Sequence, residues 1–208
     1  MAAVSVSTHP LLRHKLARLR HRDTLPPVFR ELVYEISQVL FYEATRDVPL
    51  RPVTIPTPLT DCRGEEIAVT IGLVPVLRAG LGMAAAMLDA MPEAKVWHVG
   101  LYRDEETLRP VEYYNKLPNQ SGLDLAMVLD PMLATGGSAI ATIDILKSVH
   151  ARHISFVGLI AAPEGVARLT AAHPDVPLYL AAIDERLNEN GYIVPGLGDA
   201  GDRQFGTA

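Results

Sequence analysis

The sequence predicts an α/β fold, an open and mostly parallel sheet flanked by helices. Three stretches carry that expectation. Leu125 to Leu129 is an apolar run closed by Asp130 and a small-residue loop, Pro131 to Gly137; Ile140, Ile143, Leu146 and Val149 then recur at helical spacing. A second apolar run, Ile154 to Ile160, completes a strand–helix–strand unit. Upstream, Glu66 to Leu77 is apolar enough for a strand and runs through Arg78-Ala-Gly-Leu-Gly-Met83 into an apolar helix, Ala84 to Ala90.

The chain has 208 residues, which suits one domain over 1–208 with a sizeable core. Apolar residues make up 49% and charged residues 21%, ordinary values for a globular protein. The net charge of −5 argues against a broad nucleic-acid surface. The single cysteine, Cys62, has no internal partner for a disulfide, and a reducing cytoplasm is the simplest setting. No apolar run approaches the roughly 20 residues of a membrane span.

Residues 1–25 are basic, with Arg13, His14, Lys15, Arg18, Arg20, His21 and Arg22 around a short helix, Leu11 to Arg20. In an acidic chain this reads as a solvated arm or subunit contact rather than an anion or RNA site. Pro26 and Pro27 open a longer helix whose apolar face is Phe29, Leu32, Val33, Ile36, Val39 and Leu40, ending near Thr45. Residues 47–64 are proline-rich, and Val53-Thr-Ile55 suggests an edge strand or irregular hairpin.

After the strand ending at Leu77, Gly80, Gly82 and Ala85 loosely fit a dinucleotide-binding fingerprint, which would admit an oxidoreductase. The acid expected about 20 residues further on is not evident. An arginine at the loop mouth, Arg78, suits a diphosphate better, since guanidinium offers paired donors to phosphate oxygens. Val96 to Leu101 is a short strand. Tyr102 to Lys116 is charged and broken by Pro110, and reads as a mobile two-stranded flap of the kind that closes over substrate.

The loop Thr135-Gly136-Gly137-Ser138 has the chemistry of a phosphate cradle. It opens a helix, where backbone N–H groups lack intrahelical partners and the dipole is positive. Glycines let an anion approach the backbone, and the Thr135 and Ser138 hydroxyls add donors; Ser138 reads as the N-cap. Asp130 repels phosphate but suits ribose hydroxyls. Downstream come a loop and short helix (Val166 to Ala172), a strand (Leu178 to Ile183) and Asp184 at its carboxyl end. Residues 185–208 are glycine-rich with few helix or strand signals, though Tyr192, Ile193, Val194, Leu197 and Phe205 are apolar enough to dock.

Asp130-Pro-Met-Leu-Ala-Thr-Gly-Gly-Ser138 closely resembles the 5-phosphoribosyl-1-diphosphate (PRPP) loop of uracil phosphoribosyltransferases, a type I phosphoribosyltransferase family. The resemblance runs over nearly the whole chain: His9-Pro-Leu, Tyr42-Glu-Ala-Thr45, Leu77-Arg-Ala-Gly-Leu-Gly-Met83, Tyr102-Arg-Asp-Glu-Glu-Thr107, Ala162-Pro-Glu-Gly165, Gly191 to Asp202 and Phe205-Gly-Thr207. It implies transfer of phosphoribose from PRPP to N1 of uracil, giving UMP and diphosphate. It assigns PRPP to Arg78, Arg103, Asp130, Pro131, Met132, Leu133, Ala134, Thr135, Gly136, Gly137, Ser138 and Asp199. Uracil falls to Ile193, Gly198, Asp199 and Ala200, and catalysis to Asp130, Arg103 and Asp199. It further implies an N-terminal helical arm (1–45), a flap over PRPP (102–118) and a base-binding hood (185–208).

Mg²⁺ is expected to arrive on PRPP rather than at a protein site. A homodimer or higher homo-oligomer is expected, with no nucleic-acid or membrane partner; some relatives respond to GTP, though no motif here establishes that site. One departure stands out. Many phosphoribosyltransferases carry two adjacent acids at the start of this loop, whereas Asp130 is followed by Pro131, as suits the uracil branch. A PRPP-binding regulator of pyrimidine expression through RNA is the alternative reading.

Overall fold

The computed structural model describes residues 3–103, 110–115 and 122–207, with backbone alone at 101–103 and 110–115. In chain order the elements are β1 (Val4–Val6), α1 (Pro10–Arg20), α2 (Pro26–Ala44), β2 (Leu50–Pro56), β3 (Asp61–Ile67), β4 (Ile71–Leu77), α3 (Leu81–Ala90), β5 (Lys95–Val96), β6 (Val99–Arg103) and β7 (Pro110–Asn115). There follow β8 (Leu125–Leu129), β9 (Met132–Leu133), α4 (Gly137–Ser148), β10 (His153–Ala161), α5 (Pro163–Ala172), β11 (Leu178–Ile183), β12 (Arg186–Leu187), β13 (Ile193–Val194) and α6 (Ala200–Phe205).

The sheet runs β1-β11-β10-β8-β4-β6-β7. Every pairing along that path is parallel except β6 with β7. Its central strands are apolar throughout because both faces are covered. Alternate residues go to opposite sides. Leu73, Met127, Leu129, Val157 and Leu159 meet Phe29, Leu32, Ile36, Leu40, Met83 and Met87 of α2 and α3. Val74, Val128 and Phe156 meet Ile143, Leu146 and Leu169 of α4 and α5.

Several expected boundaries move. Glu66 to Leu77 is not one strand: Glu66 and Ile67 close an exposed antiparallel hairpin with β2, and the sheet strand begins at Ile71, where burial begins. The strand expected over Val96 to Leu101 is divided at Trp97 and His98 into β5 and β6. Helices α3 and α5 start three residues early, α5 because Pro163 fits its first turn. Strand β1 is an addition to the expected elements: its three exposed residues pair with Leu178 to Leu180.

The two ends of the chain are also more ordered than expected. Helix α1 is no solvated arm, since it buries Leu12, Leu16 and Leu19. Arg20 donates to Asp184 Oδ2 at 2.7 Å and to the Gly196 carbonyl at 2.8 Å. The tail holds the β12–β13 pair and α6. Arg203 clasps tail to arm: it donates to the carbonyls of Leu19 (3.0 Å), Leu197 (2.8 Å) and His21 (2.6 Å) and stacks over Phe29, 4.4 Å from the ring centre. Arg203→Ala strands those carbonyls, and we expect a loss of about 2–3 kcal/mol in denaturant unfolding.

In and beside the stretch 102–118 expected to form a flap, β6 and β7 pair antiparallel from Val99↔Asn115 to Arg103↔Pro110. Residues 104–109 and 116–118 and the Arg103 side chain lie outside the described residues. Among the described residues no helix is long and apolar enough to cross a membrane.

Candidate active site

The topology selects the site before any side chain does. From β4 the chain moves outward to β6, then returns to β8 on the other flank of β4 and continues to β10 and β11. The loops after β4 and β8 therefore diverge from neighbouring strands, and the crevice between them is where open α/β sheets bind ligands. Arg78 stands at the end of β4 and Asp130 at the end of β8.

Asp130 is half-buried, and its Oδ1 accepts the Met132 N–H at 3.2 Å. Burial raises its carboxyl from 3.8 to about 7; the Met132 N–H works against this, and the negative charge of Asp199 adds to it. The two carboxylates are thus electrostatic neighbours although 69 positions apart in the chain.

Beyond Asp130 the loop is locked to β10. The Pro131 carbonyl accepts from Leu159 (3.1 Å) and Ile160 (3.0 Å), and the Leu133 carbonyl from Ala162 (2.9 Å). Pro131 and Leu133 are buried and brace the loop from beneath. Gly136 takes φ 77°, a left-handed conformation that glycine adopts without strain. It, and not Ser138, occupies the N-cap position, with no side-chain cap. The left-handed turn starts α4 at Gly137 and puts Ser138 in the first turn. The uncapped N–H groups suit an anion.

The other expected residues fall in the hood and at the end of β4. Arg78 pairs with Asp202 at 3.3 Å. Asp199 caps α6 by accepting the Asp202 N–H at 2.9 Å. Gly198 has φ 80°. Ile193 and Ala200 are both buried. Asp202 was not anticipated; an Arg–carboxylate contact between residues 124 apart leaves no local signal.

Gly80 and Gly82 have packing reasons that need no dinucleotide. A Cβ on Gly80 would lie 2.4 Å from the Leu129 carbonyl oxygen, and one on Gly82 would lie 2.3 Å from Gln204 Oε1. Gln204 also donates to the Ala79 carbonyl at 2.9 Å, tying the β4–α3 turn to α6. A cavity of about 680 Å³ lined by Phe41, Tyr42, Ile71 and Met91 lies at the amino end of β4, away from this chemistry.

A family model described as uracil phosphoribosyltransferase matches residues 6–207. The chain is 61% identical over 207 residues to a uracil phosphoribosyltransferase of Roseiflexus sp. (strain RS-1), with both chains covered completely. It is 55% identical over 208 residues to the protein of the same name from Geobacillus kaustophilus, again with both covered completely. Among solved structures, the AQ2163 protein from Aquifex aeolicus superposes with a TM-score of 0.92 at 39% identity, covering 99% of each chain. A purine phosphoribosyltransferase from Pyrococcus horikoshii shares the fold, with a TM-score of 0.52 at 14% identity over 74% of this chain and 84% of that one.

Proposed function

The chain belongs to the uracil phosphoribosyltransferase family, and from that premise we infer that it is a transferase moving the 5-phosphoribosyl group of PRPP to N1 of uracil, giving UMP and diphosphate. The observation that carries this reading is the meeting, at one switch point, of a glycine cradle, an acid and an arginine, with a glycine-rich hood joined to them by the Arg78–Asp202 pair.

The reaction needs no protein nucleophile. The C1–O bond to diphosphate breaks as uracil N1 attacks, and the ribosyl carbon becomes cation-like. The protein has to hold both reactants and stabilise the departing charge. We assign Thr135, Gly136, Gly137 and Ser138 to the 5′-phosphate, on which the start of α4 directs N–H groups and dipole. Asp130, when ionised, accepts from ribose hydroxyls. Arg78 exchanges its Asp202 partner for diphosphate oxygens, joined by Arg103 from the flap. Ile193, Gly198, Asp199 and Ala200 read uracil, with backbone groups doing most of the work. Asp199 uses one oxygen to cap α6; the other is assigned to PRPP or the N1 proton.

Mg²⁺ belongs to the same reading, as charge neutralisation on the diphosphate. Asp130 and Asp199 are hard oxygen donors, a set that suits a cation bringing most of its ligands with it. A homo-oligomer is supported by the β2–β3 hairpin, which carries Leu50, Ile55, Leu59 and Ile67 exposed; light scattering would read its size. A cytoplasmic setting fits the phosphorylated substrate and the single cysteine. The RNA-regulator alternative finds no support in the relatives, which carry the enzyme's name.

The test is initial rates with PRPP and Mg²⁺ against uracil, cytosine, hypoxanthine and orotate, each with and without GTP. Selective use of uracil is the expected result. Preference for another base would overturn the substrate assignment, and a rate rise with GTP would establish the effector.

A further inference from the structure

We propose that the first two turns of α5 are a template for both substrates, with Arg168 and Glu164 as positioning residues for the phosphate loop and the hood respectively. The inference rests on the transferase reading and assigns roles to side chains that hold the backbone of the site.

Peptide planarity is the physical basis. In a trans peptide the carbonyl and the following N–H point in opposite directions. The Ala134 carbonyl lies against α5: a Cβ added to Gly165 would come within 2.2 Å of its oxygen. The next carbonyl, Thr135, accepts from Arg168 Nη1 at 3.2 Å. Neither of these peptide bonds is cis. Two successive carbonyls fixed toward α5 aim the N–H groups of Thr135 and Gly136 away from it. Gly136 then turns left-handed and α4 begins. Successive N–H groups presented through such a turn form an anion-binding concavity. Gly165 allows the close approach, and Arg168 fixes the orientation of the second peptide.

The same turn of α5 reaches the hood. Glu164 Oε1 accepts the Leu187 N–H of β12 at 3.0 Å. That bond holds the Glu164 carboxyl below the usual range. Leu187 pairs with Ile193, the residue assigned to uracil. One short segment, Glu164 to Arg168, therefore contacts the backbone of both halves of the site through different side chains.

This division predicts a split in kinetics. In the full chain, Arg168→Ala should raise KM for PRPP roughly five- to tenfold, the worth of one hydrogen bond, with KM for uracil little changed. Arg168→Lys keeps a donor and should recover part of the loss. Glu164→Ala should raise KM for uracil several-fold, and Glu164→Gln, which keeps the acceptor oxygen, should restore it. Both side chains are exposed, so the variants are expected to fold. Equal movement of both KM values, no movement, or conservative variants no better than alanine would overturn the proposal. Calorimetric titration with PRPP alone reads the Arg168 effect without turnover. If wild type bound PRPP but made no UMP, the transferase reading would fail, and the titration would still decide Arg168's role.

Discussion

Asp130→Asn is expected to cut UMP formation roughly 10²–10³-fold, the range for losing one group matched to the transition state, while stabilising the free protein above pH 7. The Asn side chain keeps an oxygen for the Met132 N–H, so the loop stays closed. The stability effect follows from burial, which raises the carboxyl from 3.8 to about 7. A folded-state pKa above the unfolded one means that the native state holds its proton more tightly. The stabilisation is fully present below pH 3.8 and is lost as pH rises through about 7. Above that, the ionised carboxylate costs at most about 4 kcal/mol relative to a neutral group, and water at its half-buried surface lowers the cost. Thermal midpoints of wild type and variant should nearly coincide at pH 4 and separate at pH 8, with Asn the higher. A near-normal rate would remove Asp130 from the site chemistry, and coincident midpoints at pH 8 would contradict the raised pKa.

Gly136→Val is expected to lose PRPP binding by about two orders of magnitude and stability by about 2 kcal/mol. At φ 77° any L side chain is strained, and a β-branched one most of all. A Cβ there would also lie 3.2 Å from the Gly165 carbonyl oxygen, on the α5 surface that seats the loop. Gly137, the first residue of α4, is not among the glycines at positive φ. Gly137→Ala should therefore keep the fold far better. Similar destabilisation by the two substitutions would contradict the role given to the left-handed turn; urea unfolding of the pair makes the comparison.

What could be read from the sequence was what repeats locally. The β8–α4–β10 unit, the α2 face and β11 each carry apolar residues at strand or helix period, and Gly136 and Gly137 fall at the start of α4. Ser138 and Gly136 are both acceptable caps for α4 by residue type, and only the observed φ separates them. Elements held by backbone pairing left little trace. Strand β1 is three exposed residues, and its pairing partners lie more than 170 positions away. The clasp of Arg203 on the Leu19 carbonyl spans 184 positions. Asp202, Glu164 and Arg168 act on distant arginine, N–H or carbonyl groups, so their residue types alone could not reveal their roles. The hood illustrates the difference: its composition suggested docking, but the contacts that fix it come from α1, α5 and the β4–α3 turn.

Phosphoribosyl transfer to uracil is read most directly by a ³¹P spectrum of the purified full chain with PRPP, uracil and Mg²⁺, followed over time. UMP and diphosphate should appear in equal amounts as PRPP disappears. Diphosphate without UMP, or intact PRPP beside unreacted uracil, would contradict it.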